Sequence, residues 1–118
     1  MSLNLAGKKF LVTGAGRGIG QAIAETLNKQ GSIVYALNRS KEPLDSLVQQ
    51  CPGIKPIQAD MRNWDGIRDK LKDLEPLDGL VNNAGKVKGF ITDSALDYPR
   101  EAIAEHVDVQ IYGMINTI

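Results

Sequence analysis

Thr13-Gly14-Ala15-Gly16-Arg17-Gly18-Ile19-Gly20 follows the apolar run Phe10-Leu11-Val12 and opens onto Gln21-Ala22-Ile23-Ala24-Glu25-Thr26-Leu27. A strand, a glycine-rich turn and a helix start, in that order, make a place for a phosphate group. The first N–H groups of a helix have no intrahelical partner, and the aligned peptide dipoles add a partial positive charge of roughly half a unit there. Gly14 lets the chain turn sharply out of the strand. Gly18 removes the Cβ that would hold a pyrophosphate away, and Gly20 lets the helix lie close to the sheet. A bare run of spaced glycines is a weak signal, so the flanking strand and helix carry the reading.

Working outward, short apolar runs alternate with helical patterns. Lys8 to Val12 reads as a strand buried on both faces. The helix after it runs from Gly18 to about Gln30, with Ile19, Ile23 and Leu27 as its buried stripe and Gly31 ending it. Ile33 to Leu37 is a second buried strand, and Asn38-Arg39-Ser40 is the loop at its carboxyl end. Ser40 is the expected N-cap of a helix that turns Leu44, Leu47 and Val48 inward and ends at Cys51-Pro52-Gly53. Ile54 to Ala59 gives a third strand, and Pro56 places it at a sheet edge. Asp60 sits just past its end. Asn63 can cap a further helix with Trp64, Ile67, Leu71 and Leu74 on one face, before Leu77 to Val81 leads into a fourth strand ending at Asn82-Asn83-Ala84-Gly85. A last helical pattern spans Ala102 to Ile118, with Ile103, Val107, Ile111, Met114 and Ile115 on one side.

Strand and helix in alternation with short connections demand parallel pairing and right-handed crossovers. The expectation is an α/β, Rossmann-type doubly wound sheet in the order 3-2-1-4, a single partial domain over residues 1–118. The length suits one domain, and 42% apolar residues suffice for a core. Fourteen basic residues balance fourteen acidic ones, so no global field favours nucleic acid or an anionic membrane, and anion binding must be local. One cysteine, Cys51, and no apolar run of membrane-spanning length point to a cytoplasmic protein. Cys51 and the single His106 make no metal cluster, and Cys51 reads as a packed spacer.

With Thr13-Gly14-x-x-x-Gly18-x-Gly20 and Asn82-Asn83-Ala84-Gly85 at this separation, the sequence resembles the short-chain dehydrogenase/reductase family. Leu5-Ala6-Gly7, Asn38-Arg39-Ser40, Leu44-Asp45-Ser46-Leu47-Val48 and Cys51-Pro52-Gly53-Ile54 resemble its dicarbonyl/L-xylulose reductase branch. The likeness is close over residues 5–85 and thin beyond. It implies that Gly14, Arg17, Gly18, Ile19 and Gly20 surround a dinucleotide's pyrophosphate and adenosine ribose, that Asp60 and Met61 flank the adenine, and that Asn83, Ala84 and Gly85 line the floor near the nicotinamide ribose. Asn82 is expected to tie the strand ends together.

The choice of cofactor has a physical argument. An NAD site places a carboxylate at the end of the second strand, where it binds the ribose hydroxyls and would repel a 2′-phosphate. Asn38 stands there and is neutral, while Arg39, with Ser40 beside it, and Arg17 can reach the same pocket. A guanidinium forks onto phosphate, each such contact being worth roughly 1.5 to 3 kcal/mol, so NADP(H) is the expected cofactor.

The resemblance also implies a serine, a Tyr-x-x-x-Lys pair and a helix asparagine as the family's carbonyl-reducing machinery. Tyr35 is followed four residues on by Arg39, Tyr98 by Ala102 and Tyr112 by Asn116, so none fits. Gln110, in Val109-Gln110-Ile111, occupies the place of the relay asparagine. Lys86 and Lys88 enter a loop that is apolar in the family, and Lys88 reads as an exposed lysine rather than a substitute base. No catalytic residue is assigned. The expectation is the amino-terminal, cofactor-binding portion of a reductase of small ketones, dicarbonyls or ketoses. The competing expectation is a non-catalytic dinucleotide-binding or dimerising module. The fourth strand, left as an apolar edge, and the last helix would then be surfaces for a homo- or hetero-oligomer.

Overall fold

The computed structural model describes residues 4–84 and Glu101. Four strands and three helices alternate along it: β1 (Lys9–Thr13), α1 (Gly18–Lys29), β2 (Ile33–Asn38), α2 (Lys41–Gln50), β3 (Lys55–Gln58), α3 (Trp64–Leu71) and β4 (Gly79–Val81). They form one parallel sheet in the order β3-β2-β1-β4, the doubly wound arrangement expected from the alternation. Leu11 lies level with Tyr35 on one side and Leu80 on the other. β3 pairs with β2 alone among the described strands, which is where Pro56, with no N–H to give, is tolerated.

The pleat sends alternate residues of β1 and β2 to opposite faces, and each face has its own core. Val12, Val34 and Ala36 pack with Ala24 of α1 and with Leu44, Leu47, Cys51 and Ile54 from α2 and its exit. Leu11, Tyr35 and Leu37 pack with Met61 and Ile67 on the α3 side. Burial on both faces is why these strands read as apolar runs without alternation.

The helix ends are set locally. At the end of α1 the Gly31 N–H donates to the Asn28 carbonyl at 3.1 Å and the Ser32 N–H to the Leu27 carbonyl at 3.1 Å. Gly31 takes φ +85, the left-handed conformation such a C-terminal closure requires. Asn63 caps α3 as expected, its Oδ1 accepting from the Gly66 N–H at 3.0 Å. Ser40 stands at the N-cap of α2 with extended backbone, but its side chain makes no capping hydrogen bond, so that expectation is corrected.

Two further expectations about packing are overturned. Ile19, assigned to the buried stripe of α1, is 74% exposed. The buried positions are Gly20 and Ala24, with Ile23 and Leu27 half-buried, and at about 100° per residue Ile19 lies about 90° from the centre of that stripe. Trp64 opens α3 and is 41% exposed, its ring covered by the Arg68 guanidinium 5.0 Å from the centroid. The α3 helix ends at Leu71, and Leu74 reaches the core from the turn beyond it. The helical pattern from Ala102 to Ile118 lies outside the described residues.

Candidate functional site

The sheet order brings the chain segments that follow β1, β2, β3 and β4 to one edge, the carboxyl ends of the strands. β2 and β3 extend the sheet on one side of β1 and β4 on the other, so the crevice at β1 is the topological switch point where open α/β sheets bind ligands.

After β1, Gly14 turns the chain with φ +66, and a Cβ built on it would meet the Ala84 Cα at 2.9 Å. The turn is pinned from below, because the Ala15 N–H donates to the Leu37 carbonyl at 3.1 Å and the Gly16 N–H to the Asn38 Oδ1 at 3.3 Å. Gly20 is fixed by contact, since a Cβ there would stand 2.2 Å from the Gly14 carbonyl oxygen. Gly18 is different. It has φ +60, and a Cβ built on it meets nothing within 4 Å, so its outer side is open.

The start of α1 carries no side-chain cap and no acidic residue in its first turn. Arg17 at the N-cap, Gly18 and Ile19 are all exposed. Uncapped N–H groups and an exposed isoleucine on one open face make a surface that suits an anion flanked by apolar atoms.

Asn38 at the end of β2 is clasped at both ends of its amide. Its Oδ1 accepts from Gly16, and its Nδ2 donates to the Ser40 carbonyl at 3.1 Å. A carboxylate in its place would have no hydrogen to give Ser40. Arg39 and Ser40 beyond it are exposed.

Asp60, after β3, is engaged by Arg62. Its Oδ1 accepts from the Arg62 main-chain N–H at 2.9 Å and from Nε at 3.2 Å, and its Oδ2 from Nη2 at 2.9 Å. These hydrogen bonds from Arg62 hold the carboxyl below the ordinary aspartate range against the opposing effect of partial burial, and the positive charges of Arg62 and Arg39 add to them. Met61, expected to flank an adenine, is buried in the α3-side core with Leu11, Tyr35 and Leu37. Its side chain belongs to the packing, and any part it takes at the edge falls to its backbone.

The segment after β4 is stitched to β1 through Thr13. The Thr13 hydroxyl is buried, donates to the Val81 carbonyl at 3.3 Å and accepts from the N–H groups of Asn83 at 3.0 Å and Ala84 at 2.9 Å. The Asn83 Nδ2 donates to the Gly14 carbonyl at 3.3 Å. Asn83 thus joins Thr13 in tying the ends of β1 and β4 together, next to Asn82, which the sequence reading expected to do so. Gly85, Lys86, Lys88, Tyr98, Gln110 and Tyr112 lie outside the described residues. Tyr35 is buried in the core with the Lys55 ammonium 5.5 Å from its ring centroid, which takes it away from any chemistry at this edge.

Three groups were not assigned a role from the sequence: Thr13 as the hub between β1 and β4, Arg62 as the partner of Asp60, and Gly16 as the seat of Asn38, where a Cβ would meet Nδ2 at 2.4 Å. A hydroxyl ending an apolar strand is the signal that could have found Thr13. Among the described residues no three His, Cys, Asp or Glu side chains lie together as a metal-binding set, and no helix is long and apolar enough to cross a membrane.

A family model described as short chain dehydrogenase matches residues 8–118. The L-xylulose reductase of Mus musculus is 37% identical over 115 residues, covering 98% of this chain and 46% of its own length. The D-erythrulose reductase of Gallus gallus is 39% identical over 114 residues, covering 97% of this chain and 45% of its own length. Among solved structures, the Pseudomonas aeruginosa RhlG/NADP active-site complex aligns with a TM-score of 0.82 at 30% identity, over 98% of this chain and 46% of that one. The chain thus spans about half the length of the relatives it matches. The glycine turn at β1, the sheet order and a family match over nearly all of the sequence agree, and the chain belongs to the short-chain dehydrogenase family.

Proposed function

We propose that these residues bind the dinucleotide NADP(H), and that they serve the reduction of a small ketone, dicarbonyl or ketose. The observation that carries the cofactor reading is the clasped amide of Asn38. Its donated hydrogen bond to Ser40 suits an amide and not a carboxylate, so the ribose end of the site is neutral and flanked by Arg39 and Arg17. A 2′-phosphate meets no fixed negative charge at that position and has two guanidinium groups to draw on.

The turn fits such a group. Gly18 leaves open the space a Cβ would fill, the uncapped N–H groups at the start of α1 are donors for a pyrophosphate, and Ile19 offers apolar cover beside them. Asp60 is an acceptor for an adenine amino group, and Asn83 and Ala84 form the floor under the nicotinamide ribose. When bound, the nicotinamide supplies the hydride for carbonyl reduction. The described residues of this chain would bind and orient it, and no tyrosine in the 118 residues is followed by lysine at the Tyr-x-x-x-Lys spacing. Relatives named for L-xylulose and D-erythrulose support a small polyol-type ketone as the substrate of a protein that carries that machinery.

Titration of the purified chain with NADPH and with NADH tests the reading. NADPH is expected to bind at least about tenfold more tightly, and Arg39→Ala to remove most of that difference. Equal affinities would overturn the NADP assignment, and no binding of either would overturn the site.

A further inference from the structure

We infer that Arg62 is a positioning residue that fixes the plane of the Asp60 carboxylate and leaves it a single outward acceptor direction, so that the site selects a purine bearing an amino group over one bearing an oxo group. This rests on the proposed dinucleotide site and extends it to a residue outside the glycine turn.

A carboxylate has about four in-plane acceptor positions, two on each oxygen. Arg62 takes three of those of Asp60. Its main-chain N–H and Nε both donate to Oδ1, and Nη2 donates to Oδ2. The Nε and Nη2 contacts are the two prongs of one planar guanidinium, so they hold the carboxylate against rotation about its last torsion in a way a point charge could not. The main chain is fixed as well, because the Asn63 N–H donates to the Asp60 carbonyl at 2.9 Å and Asn63 in turn caps α3. The clamp is thus anchored to the rigid start of a helix.

One acceptor position on Oδ2 remains. The Asp60 side chain is 31% exposed, so a ligand can reach it. A single fixed acceptor that stays ionised matches one N–H donor, such as the exocyclic amine of adenine. A 6-oxo purine would bring an oxygen lone pair against it, and a site built around a hydrogen bond rejects the analogue that lacks the donor. A carboxylate free to rotate would turn away from the oxo group and discriminate less.

The test compares NADPH with its hypoxanthine analogue, in which the adenine amine is replaced by oxygen, using the full chain. The unaltered chain is expected to prefer NADPH by about tenfold or more, and Arg62→Ala to shrink that ratio to about threefold or less. Arg62→Lys keeps the charge without the planar fork and should fall nearer to Arg62→Ala than to the unaltered chain. Arg62 is exposed, so both variants should fold, and the ratio itself is a readout that general destabilisation does not move. If Arg62→Ala keeps the full preference, the positioning role is overturned while the dinucleotide site stands. If the unaltered chain binds neither compound, the site reading fails and this inference fails with it. Should Arg62→Ala not fold, the Arg62→Lys ratio decides alone, and a preference equal to that of the unaltered chain overturns the inference.

Discussion

The two helices α1 and α3 begin in opposite ways. At α3 the Asn63 side chain takes the Gly66 N–H and Asp65 sits in the first turn, so the helix satisfies its own donors and its own dipole. At α1 the N-cap residue is an arginine, no side chain caps the helix, and the first turn has no acid. A small domain forgoes roughly 1 kcal/mol by leaving a cap out, and α1 does so at the crevice edge, where three consecutive exposed residues face outward. Of these two helices, the one beginning at Asn63 closes its own first turn, and the one beginning at the crevice leaves its first turn open.

The strongest way to break this contrast is to disturb the turn that holds α1 open. Gly20→Ala puts a Cβ about 2.2 Å from the Gly14 carbonyl. Backbone must move, and the expected loss is about 3 kcal/mol or more of stability, together with loss of dinucleotide binding, read by thermal denaturation and ligand titration. A change in melting temperature within experimental error would mean that the turn is not packed as described.

Capping tests the contrast directly, in a matched pair. Asn63→Ala should destabilise the protein by about 1 kcal/mol and weaken NADPH binding far less than a change at the opening of α1. Arg17→Asp should do the reverse: it supplies α1 with a cap and a favourable charge worth about 0.5 to 1 kcal/mol, and it weakens NADPH binding by about tenfold or more because a carboxylate takes the place of the phosphate. If Arg17→Asp raised stability without weakening binding, the opening of α1 would not be the phosphate site.

The smallest expected effect concerns Asp60. Folding lowers its pKa below 3.8, chiefly through the hydrogen bonds from Arg62. Its contribution is therefore complete above the unfolded pKa and is lost as pH falls through the folded one. Stability should decline below about pH 4, by less than about 1 kcal/mol for a pair this accessible, and Asp60→Asn should flatten that part of the profile. A profile of Asp60→Asn that matches the unaltered chain would remove the pair from the stability account.

The architecture was legible because it is written in local pattern. Apolar runs such as Ile33 to Leu37, punctuated by Gly31 and by the Asn63 cap, carry the order of elements, and the handedness rule turns that order into the sheet 3-2-1-4. Pro56 even gave the edge. What escaped was tertiary. Ile19, Ile23 and Leu27 recur every four residues, which drifts around a helix of 3.6 residues per turn, and the true stripe turned on Gly20 and Ala24, whose small side chains carry little periodic signal. Trp64 looked apolar by type yet lies under Arg68 at the outer end of α3. At the edge that forms the site, the glycines and the position after β2 were visible in the sequence. The Asn83 tie to Gly14 and the clamp of Arg62 on Asp60 are choices of side-chain hydrogen bond, which spacing alone does not dictate.

The Thr13 hydroxyl has a consequence for the order in which this molecule assembles. Its three hydrogen bonds join residues 68 to 71 positions apart in the chain. Closing so long a loop has an entropic cost that only the intervening crossovers, once packed, can offset. The junction between the ends of β1 and β4 is therefore expected to be a late contact, made after each face of the sheet has found its helices. On the proposed site, a dinucleotide that needs Gly14 and Ala84 side by side would recognise the finished sheet and not its precursors, so its binding would report completed folding and draw the equilibrium toward it.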